Sequence, residues 1–485
     1  MTAPSIRRGH SSGNRLSRVF SVAMGLAGVT LGHPLCAQPI DSVGVARTAY
    51  REALSAPTRE AARELLLRAT RAWPTQSAYW APLARVAGRL NDTATVTSAV
   101  RALIDMQLAE PLLADSTLDR WWSIPTLAPL HREAQRLAGP LANAHVIATL
   151  ADSTIFAEGV DAHSRTDALY VASIRHRTVF EHRPDGTVRD LLLHQDPRMG
   201  AVFGVRVAPD GRALWVTTAP HAAATPAPPL PATAQITGRG ALVKVRIRDG
   251  HIEGYWPLSP DTASHIPGDL AVAPDGTVIV TDSDAATVYV LDPRARRLRA
   301  IVDPWFRSLQ GVVAVPSRVP GKPAALVADY SHGLLHVELA PVVMGPRVRR
   351  LQEAPGTTVL GIDGMVWHDG ALLAVQNGVT PARIVRVQLD AELTRVQSLA
   401  VIDKQPAIAT DPTIGTLWRG GFAYVANSQW SQYNARGQRV TGTALSPTVI
   451  LCVPLPSGAA TKGTRSSAST PPVNASCTRS VARSP

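Results

Sequence analysis

The strongest constraint on this chain is a repeated unit, clearest from Gly268 to Asp284. It consists of an apolar strand, a Pro274-Asp275-Gly276 turn, a second apolar strand ending in small polar residues, and a third strand carrying alternate charges. Altered copies start near Glu158, Phe203, Gln310, Asp363 and Thr413. Spacings of about 40 to 65 residues, with three or four short strands per unit, match a β-propeller blade rather than the shorter repeats of helical solenoids. The Asp-Gly pairs supply the positive φ that a tight two-strand connection needs. The expectation is a mainly β chain: a six-bladed β-propeller preceded by a small α-helical region.

A propeller closes when one blade takes strands from both ends of the repeat array, which removes the open edge. The short apolar segment His145–Leu150 precedes the first copy, and Thr448 to Val453 follows the last. These two are expected to pair, giving a propeller over residues 145–455.

With 485 residues the chain exceeds one ordinary domain, although a six-bladed propeller absorbs about 300 residues without splitting. The 45% hydrophobic content is that of a globular protein. A net charge of +12 invites a nucleic-acid reading, but Arg7, Arg8, Arg15, Arg18, Lys462, Arg465, Arg479 and Arg483 all lie at the two ends. Removing those eight charges leaves +4 for the body, with no basic stripe interleaved with aromatics, which excludes a nucleic-acid binder.

Residues 1–37 read as a signal peptide: a basic start, an apolar run from Val19 to Gly32, and a cleavage point after Ala37. The run is too short and glycine-rich for a membrane span, so the expectation is an exported protein, periplasmic or extracellular, without a span after signal removal. Pro34 and Leu35 before Cys36 fit a lipoprotein attachment site poorly. Once Cys36 leaves with the leader, Cys452 and Cys477 remain. Export permits a disulfide between them; the alternative is a buried thiol at Cys452 and a loose one at Cys477. The Ser-, Thr-, Pro- and Arg-rich segment 457–485 reads as disordered.

Residues 41–139 have helical periodicity. Ala49, Ala53 and Leu54 mark a first helix, and Ala61, Leu65, Leu66, Ala69 and Ala72 a second, capped by Thr58. A third is expected over 77–90 and a fourth over 93–107, with Asn91-Asp92 between them. The paired helices, with the Ala72-Trp73-Pro74-Thr75 turn and Tyr79 and Leu83 near packing positions, resemble about two tetratricopeptide repeats. Two such repeats cannot bury their apolar face alone, so they are expected to pack against the propeller or to recruit a protein partner through it.

From about residue 150 to 455 the repeats resemble the gluconolactonase and regucalcin-like six-bladed propellers, relatives of strictosidine-synthase-like proteins. The resemblance rests on Phe156-Ala157-Glu158-Gly159-Val160 ahead of Leu169–Ser173, and on Ile362-Asp363-Gly364-Met365. It implies that Glu158 and Asp363 bind a divalent cation, Ca²⁺ above others, and that the protein is a metal-dependent lactone or ester hydrolase. Two carboxylates from opposite sides of a funnel suit such an ion, with carbonyl and amide oxygens completing the shell. The family's third ligand, an Asn, falls at Gly268, one place before Asp269, which joins Gln310 as a further metal candidate. The substrate-side Asn-Asp pair of that family corresponds to Phe203-Gly204. The alternative function is a non-catalytic scaffold for a small molecule or protein, with a degenerate metal site.

Glu158 and Asp363 each precede a glycine, so the competing reading is that each accepts backbone hydrogen bonds in a turn. Gln376, Asn377, Asn427 and Trp430 lie where second strands leave toward a loop face and are candidate substrate-binding residues. Asp210 and Asp275 belong to turns. His163, His332 and His368 lack the spacing of a zinc site. No phosphate loop, nucleophile elbow or Cys-X-X-Cys is present in the sequence.

Overall fold

Strands rich in Val, Ile, Leu and Ala are suited to burial on both faces, and the second strand of the clearest repeat, Val278–Asp282, is buried along its whole length. A computed structural model describes residues 42–228, 240–259, 264–295, 297–317, 319, 321–341, 347–440, 442 and 444–456. The expected leader (1–37), the tail (457–485), Cys36 and Cys477 lie outside the described residues.

Six antiparallel sheets follow one another along the chain. Blade 1 comprises Ala157–Ala162, Leu169–Ser173, Thr178–His182 and Val188–Asp190; blade 2, Ala201–Val207, Ala213–Ala219, Ala241–Arg246 and Ile252–Pro257. Blade 3 comprises Asp269–Val272, Val278–Asp282, Thr287–Leu291 and Arg299–Ile301; blade 4, Leu309–Pro316, Pro323–Asp329, Gly333–Glu338 and Val348–Arg350. Blade 5 comprises Ile362–His368, Ala371–Gln376, Arg383–Leu389 and Arg395–Asp403, with Gln352–Glu353 added parallel on its outer edge. Blade 6 is built from Gly415–Trp418, Gly421–Val425, Thr448–Pro454 and, from the other end of the array, His145–Leu150. Val146 pairs with Leu451 and Thr149 with Val449, so the strand that precedes the repeats closes the ring as expected. Each first strand contacts those of the blades before and after it, and the first strand of blade 6 contacts that of blade 1. Cys452, inside the closing sheet, is disulfide-bonded. The chain's other two cysteines both lie outside the described residues.

The first strands approach so closely that side chains are excluded at some positions. A Cβ on Gly159 would sit 2.5 Å from the Phe203 carbonyl oxygen, and one on Gly364 2.5 Å from the Ile414 Cα. Glycine is required there by a neighbouring backbone rather than by its own dihedral freedom.

Helices occupy the chain before the propeller: α1 (Ser42–Leu54), α2 (Arg59–Ala72), α3 (Trp80–Arg89), α4 (Thr93–Asp105), α5 (Glu110–Leu113) and α6 (Ala128–Ala138). Thr58 caps α2 by accepting from Ala61 N, and Asp92 caps α4 by accepting from Thr95 N. The helix expected over 77–90 starts instead as a 3₁₀ turn, Ser77–Tyr79, before α3. α1 packs on α2 and α3 on α4. Among the described residues no helix is long and apolar enough to cross a membrane.

The apolar face of these helices is covered by the propeller. Leu360 joins Val43, Trp73 and Tyr79 in one cluster, and Val379 packs against the main helical core. Arg47 Nη2 donates to Ser331 O at 3.2 Å, and Lys404 Nζ pairs with Glu110 Oε1 at 3.0 Å. Ser331, Leu360 and Val379 belong to loops where first strands begin and second strands end in blades 4 and 5.

Asp329 organises one of these loops. Its Oδ2 accepts from Arg307 N and Ser308 N, and its Oδ1 from Ser331 N and His332 N. Burial opposes its ionisation, but these donors and His332 outweigh it and hold the carboxyl at about 2, against an ordinary 3.8. A depressed carboxyl contributes stability above its unfolded value that is lost as pH falls through the folded one, here roughly 2 kcal/mol. Asp329→Asn should therefore lower the urea midpoint at pH 7, and the gap from the parent should narrow as pH falls from about 4 toward 2. A gap independent of pH would refute this role.

Candidate functional site

The first strands of blades 1, 2, 4 and 5 share a local irregularity: pairing breaks immediately before Val160, Val205, Val312 and Met365. Each break is a two-residue bulge whose second residue is glycine, and such bulges re-aim the residue they carry. Counting back from the paired positions aligns Glu158, Phe203, Gln310 and Asp363. In blade 3 Leu270 pairs with Val280 as Val160 pairs with Val171, which places Gly268 in the same ring and Asp269 at the glycine position. In blade 6 Gly415 pairs with Tyr424 in the same way, which places Thr413 in the ring and Ile414 at the glycine position.

Four oxygen-bearing side chains therefore share one level of the ring, Glu158, Gln310, Asp363 and Thr413, and the Thr413 hydroxyl donates to the Glu158 carbonyl. Glu158 and Asp363 do not face each other from opposite sides, as the sequence had suggested. Blades 1 and 5 both flank blade 6, and it is Gln310, in blade 4, that stands across from Glu158. Sequence spacing hides this, because blades far apart in the chain become neighbours only on closure.

Glu158 is 6% exposed and Asp363 8%. Glu158 Oε2 accepts from the Trp430 indole at 2.6 Å and from Ser428 Oγ at 3.3 Å. Asp363 Oδ2 accepts from Asn377 Nδ2 at 2.7 Å, and Tyr330 OH donates to Asn377 Oδ1 at 3.1 Å. The start of blade 6 lies between the two acids: Thr413 Oγ1 donates to Glu158 O, and Pro412 O accepts from Asn377 Nδ2. Both are held by hydrogen bonds from loop side chains, not merely by turn backbone.

No Lys or Arg pairs with either acid among the described residues. Burial, then the Asp363 charge, push Glu158 well above the ordinary carboxyl range. Burial pushes Asp363 up to about 7 against its hydrogen bond from Asn377, with the Asp269 and Asp411 charges adding to the rise. Burial, then the Asp363 and Asp411 charges, push the Tyr330 hydroxyl up to about 12.

Asp411 was not legible as a site residue. It lies two places before the sixth repeat copy, where Asp-Pro reads as a turn. Burial raises its pKa against backbone hydrogen bonds from Ser431, Trp430 and Gln429, the loop that presents the Trp430 indole to Glu158. Its Oδ2 is buried without a hydrogen-bond partner. Tyr330, Ser428 and His221 were missed too. His221 packs edge-on to Phe156, Phe203 and Trp430, and burial lowers its pKa.

Other candidates fall elsewhere. Asp269 pairs with Arg206 at 3.0 Å and accepts from Leu270 N; burial still lifts it to about 6. Arg206 also donates to Val160 O, so this pair ties blades 1, 2 and 3 together. Gln376 is buried, with its amide engaged by Thr358 O, Leu360 O and Arg383 Nε. Asn427 braces its own loop through Ser446, Pro447 and Val449. Asn377 and Trp430 touch the two acids directly.

Among the described residues no group of three or more His, Cys, Asp or Glu is arranged to hold a metal. The donor chemistry at the ring is nevertheless that of a hard cation: two buried carboxylates without a basic partner, an amide oxygen on Gln310, and the unpartnered Asp411 Oδ2 nearby.

No protein-family model matches this sequence. No curated protein matches it either. Similar solved structures include a gluconolactonase from Xanthomonas campestris, 17% identical over 66% of this chain and 93% of that chain, with a TM-score of 0.42. The PQQ-bound aldose sugar dehydrogenase from Streptomyces coelicolor is 12% identical over 65% and 99%, with a TM-score of 0.39. Virginiamycin B lyase from Staphylococcus aureus is 11% identical over 58% and 80%, with a TM-score of 0.38. What they have in common with this chain is a fold. At such identities the likeness carries no argument about chemistry, which rests on the ring itself.

Proposed function

We propose that this protein is an exported, divalent-cation-dependent hydrolase of cyclic esters, with Ca²⁺ as the cation, working at the ring of Glu158, Gln310 and Asp363. The observation that carries the reading is the pair of buried acids, Glu158 and Asp363, both raised by burial, the first also by the charge of the second, with no basic side chain paired to either among the described residues. A divalent cation bound there would polarise an ester carbonyl and lower the pKa of a bound water.

The chain's own residues divide the remaining work. Trp430 and Ser428 hold Glu158 through Oε2; Asn377, itself oriented by Tyr330, holds Asp363 through Oδ2. Asp411 holds the loop that carries Trp430. Arg206, paired with Asp269, takes no part in the chemistry.

Calcium titration of the purified, chelator-treated protein by calorimetry, with hydrolysis of glucono-δ-lactone followed by pH-stat, tests the reading. Calcium uptake together with turnover that stops on chelation is the expected result. Absence of uptake refutes the cation site, and uptake without turnover of any lactone refutes the hydrolase and leaves a binding scaffold.

A further inference from the structure

Gly268 is the one position in the ring without a side chain, and nothing structural requires that. Its φ is not in the positive range. A Cβ placed on it would meet, among the described residues, a single atom within 4 Å: Gln310 Oε1, at 3.8 Å. Gly159 and Gly364, by contrast, are forced by backbones 2.5 Å away. Gly268 is itself buried, so the room beside it is inside the funnel rather than at the outer surface. A strand glycine that neither dihedral nor packing explains marks a place where something else approaches the backbone.

We infer that Gly268 forms a specificity slot, admitting an uncharged, hydrogen-bond-donating substituent on the ring of the substrate. For its ligand class the inference rests on the cyclic-ester reading above. Two observations define the chemistry. On the blade 4 side the slot meets Gln310, whose Nε2 donates to Ser308 Oγ at 3.4 Å, which turns Oε1 toward the slot as an acceptor. On the blade 2 side stands Phe203, the next residue round the ring, buried in an apolar cluster against which Ile266 packs. A hydroxyl or amide N–H satisfies Gln310 Oε1, whereas a carboxylate would be repelled by it and left unpaired against the apolar wall. A methyl or larger side chain at 268 would fill the slot, while the acids of blades 1 and 5 would be untouched.

Lactams, which resist hydrolysis, separate this inference from the question of turnover. Binding of 3-hydroxy-2-piperidinone and of unsubstituted 2-piperidinone is measured by ligand-observed NMR on the parent and on Gly268→Ala and Gly268→Leu. The hydroxylated lactam should bind the parent more tightly than the plain one. The Leu variant should weaken the hydroxylated lactam at least tenfold and the plain lactam less than threefold, with Ala between. Gly268→Ala should melt at or above the parent temperature, whereas Gly364→Ala should melt well below it. Equal losses for both lactams, no preference in the parent, binding of neither lactam, or a Gly268→Ala melting point as low as that of Gly364→Ala would each overturn the slot. Calcium uptake is a separate readout, so failure of the cation site leaves this result standing.

Discussion

Replacing Glu158 by Gln is expected to weaken calcium binding at least 100-fold, a loss of about 2.7 kcal/mol. Gln preserves the shape and keeps an oxygen for the Trp430 indole and Ser428 hydroxyl, which donate to Glu158 Oε2 in the parent. What it removes is one of the two acids that flank the start of blade 6. The same change should raise the melting temperature of the cation-free protein, because it removes a carboxyl whose ionisation burial and the Asp363 charge both oppose. The two effects have opposite signs, and that separates a ligand from a structural carboxylate: a turn-capping Glu158 would lose stability and leave affinity alone. Calorimetric titration beside a thermal melt provides both readouts, and unchanged calcium affinity in a folded variant would sink the assignment.

The second large effect is expected from Arg383→Ala, at about 3 kcal/mol of stability. Arg383 is 2% exposed, and its burial pulls the guanidinium down to about 10. It donates to Gln376 Oε1 at 2.8 Å, Gln107 O at 2.9 Å and Met106 O at 3.1 Å, joining the end of α4 to the third strand of blade 5. Truncation leaves those three acceptors without donors where water has little access. Lys should recover less than half of the loss, since one ammonium cannot reproduce the planar fork. Because Gln376 is followed by Asn377, which holds Asp363, calcium affinity should fall as well. Urea denaturation checks the first point; a loss under 1 kcal/mol would mean that the helices are not fastened through this residue.

The architecture was largely legible in the sequence because its signals are local. Turn glycines, alternating apolar strands and the spare strand at His145 each report on a few neighbouring residues, and the closure between His145–Leu150 and Thr448–Pro454 followed from the repeat pattern alone. The site was legible only in part. Glu158 and Asp363 stood out through the motif around them, yet Asp411, Ser428 and Tyr330 did not, because loops of blades 4 and 6 carry them to the ring without a repeated pattern of their own. Gln376 looked like a pocket residue and is instead part of the helix attachment, since adjacent residues leaving a strand point to opposite sides.

The sequence by itself determined that this protein is a six-bladed propeller with helices before it, and it marked two acids as a candidate pair. Only the tertiary structure decided that those acids are near neighbours flanking blade 6, that Gln310 rather than Asp269 shares their ring, and that the helices cover loops of blades 4 and 5 on the face where the ring lies. The reason is physical. Periodicity encodes which residues are buried within a blade, but the contacts between blades arise when the ring closes, and a one-residue bulge in a first strand then decides which side chain faces the centre.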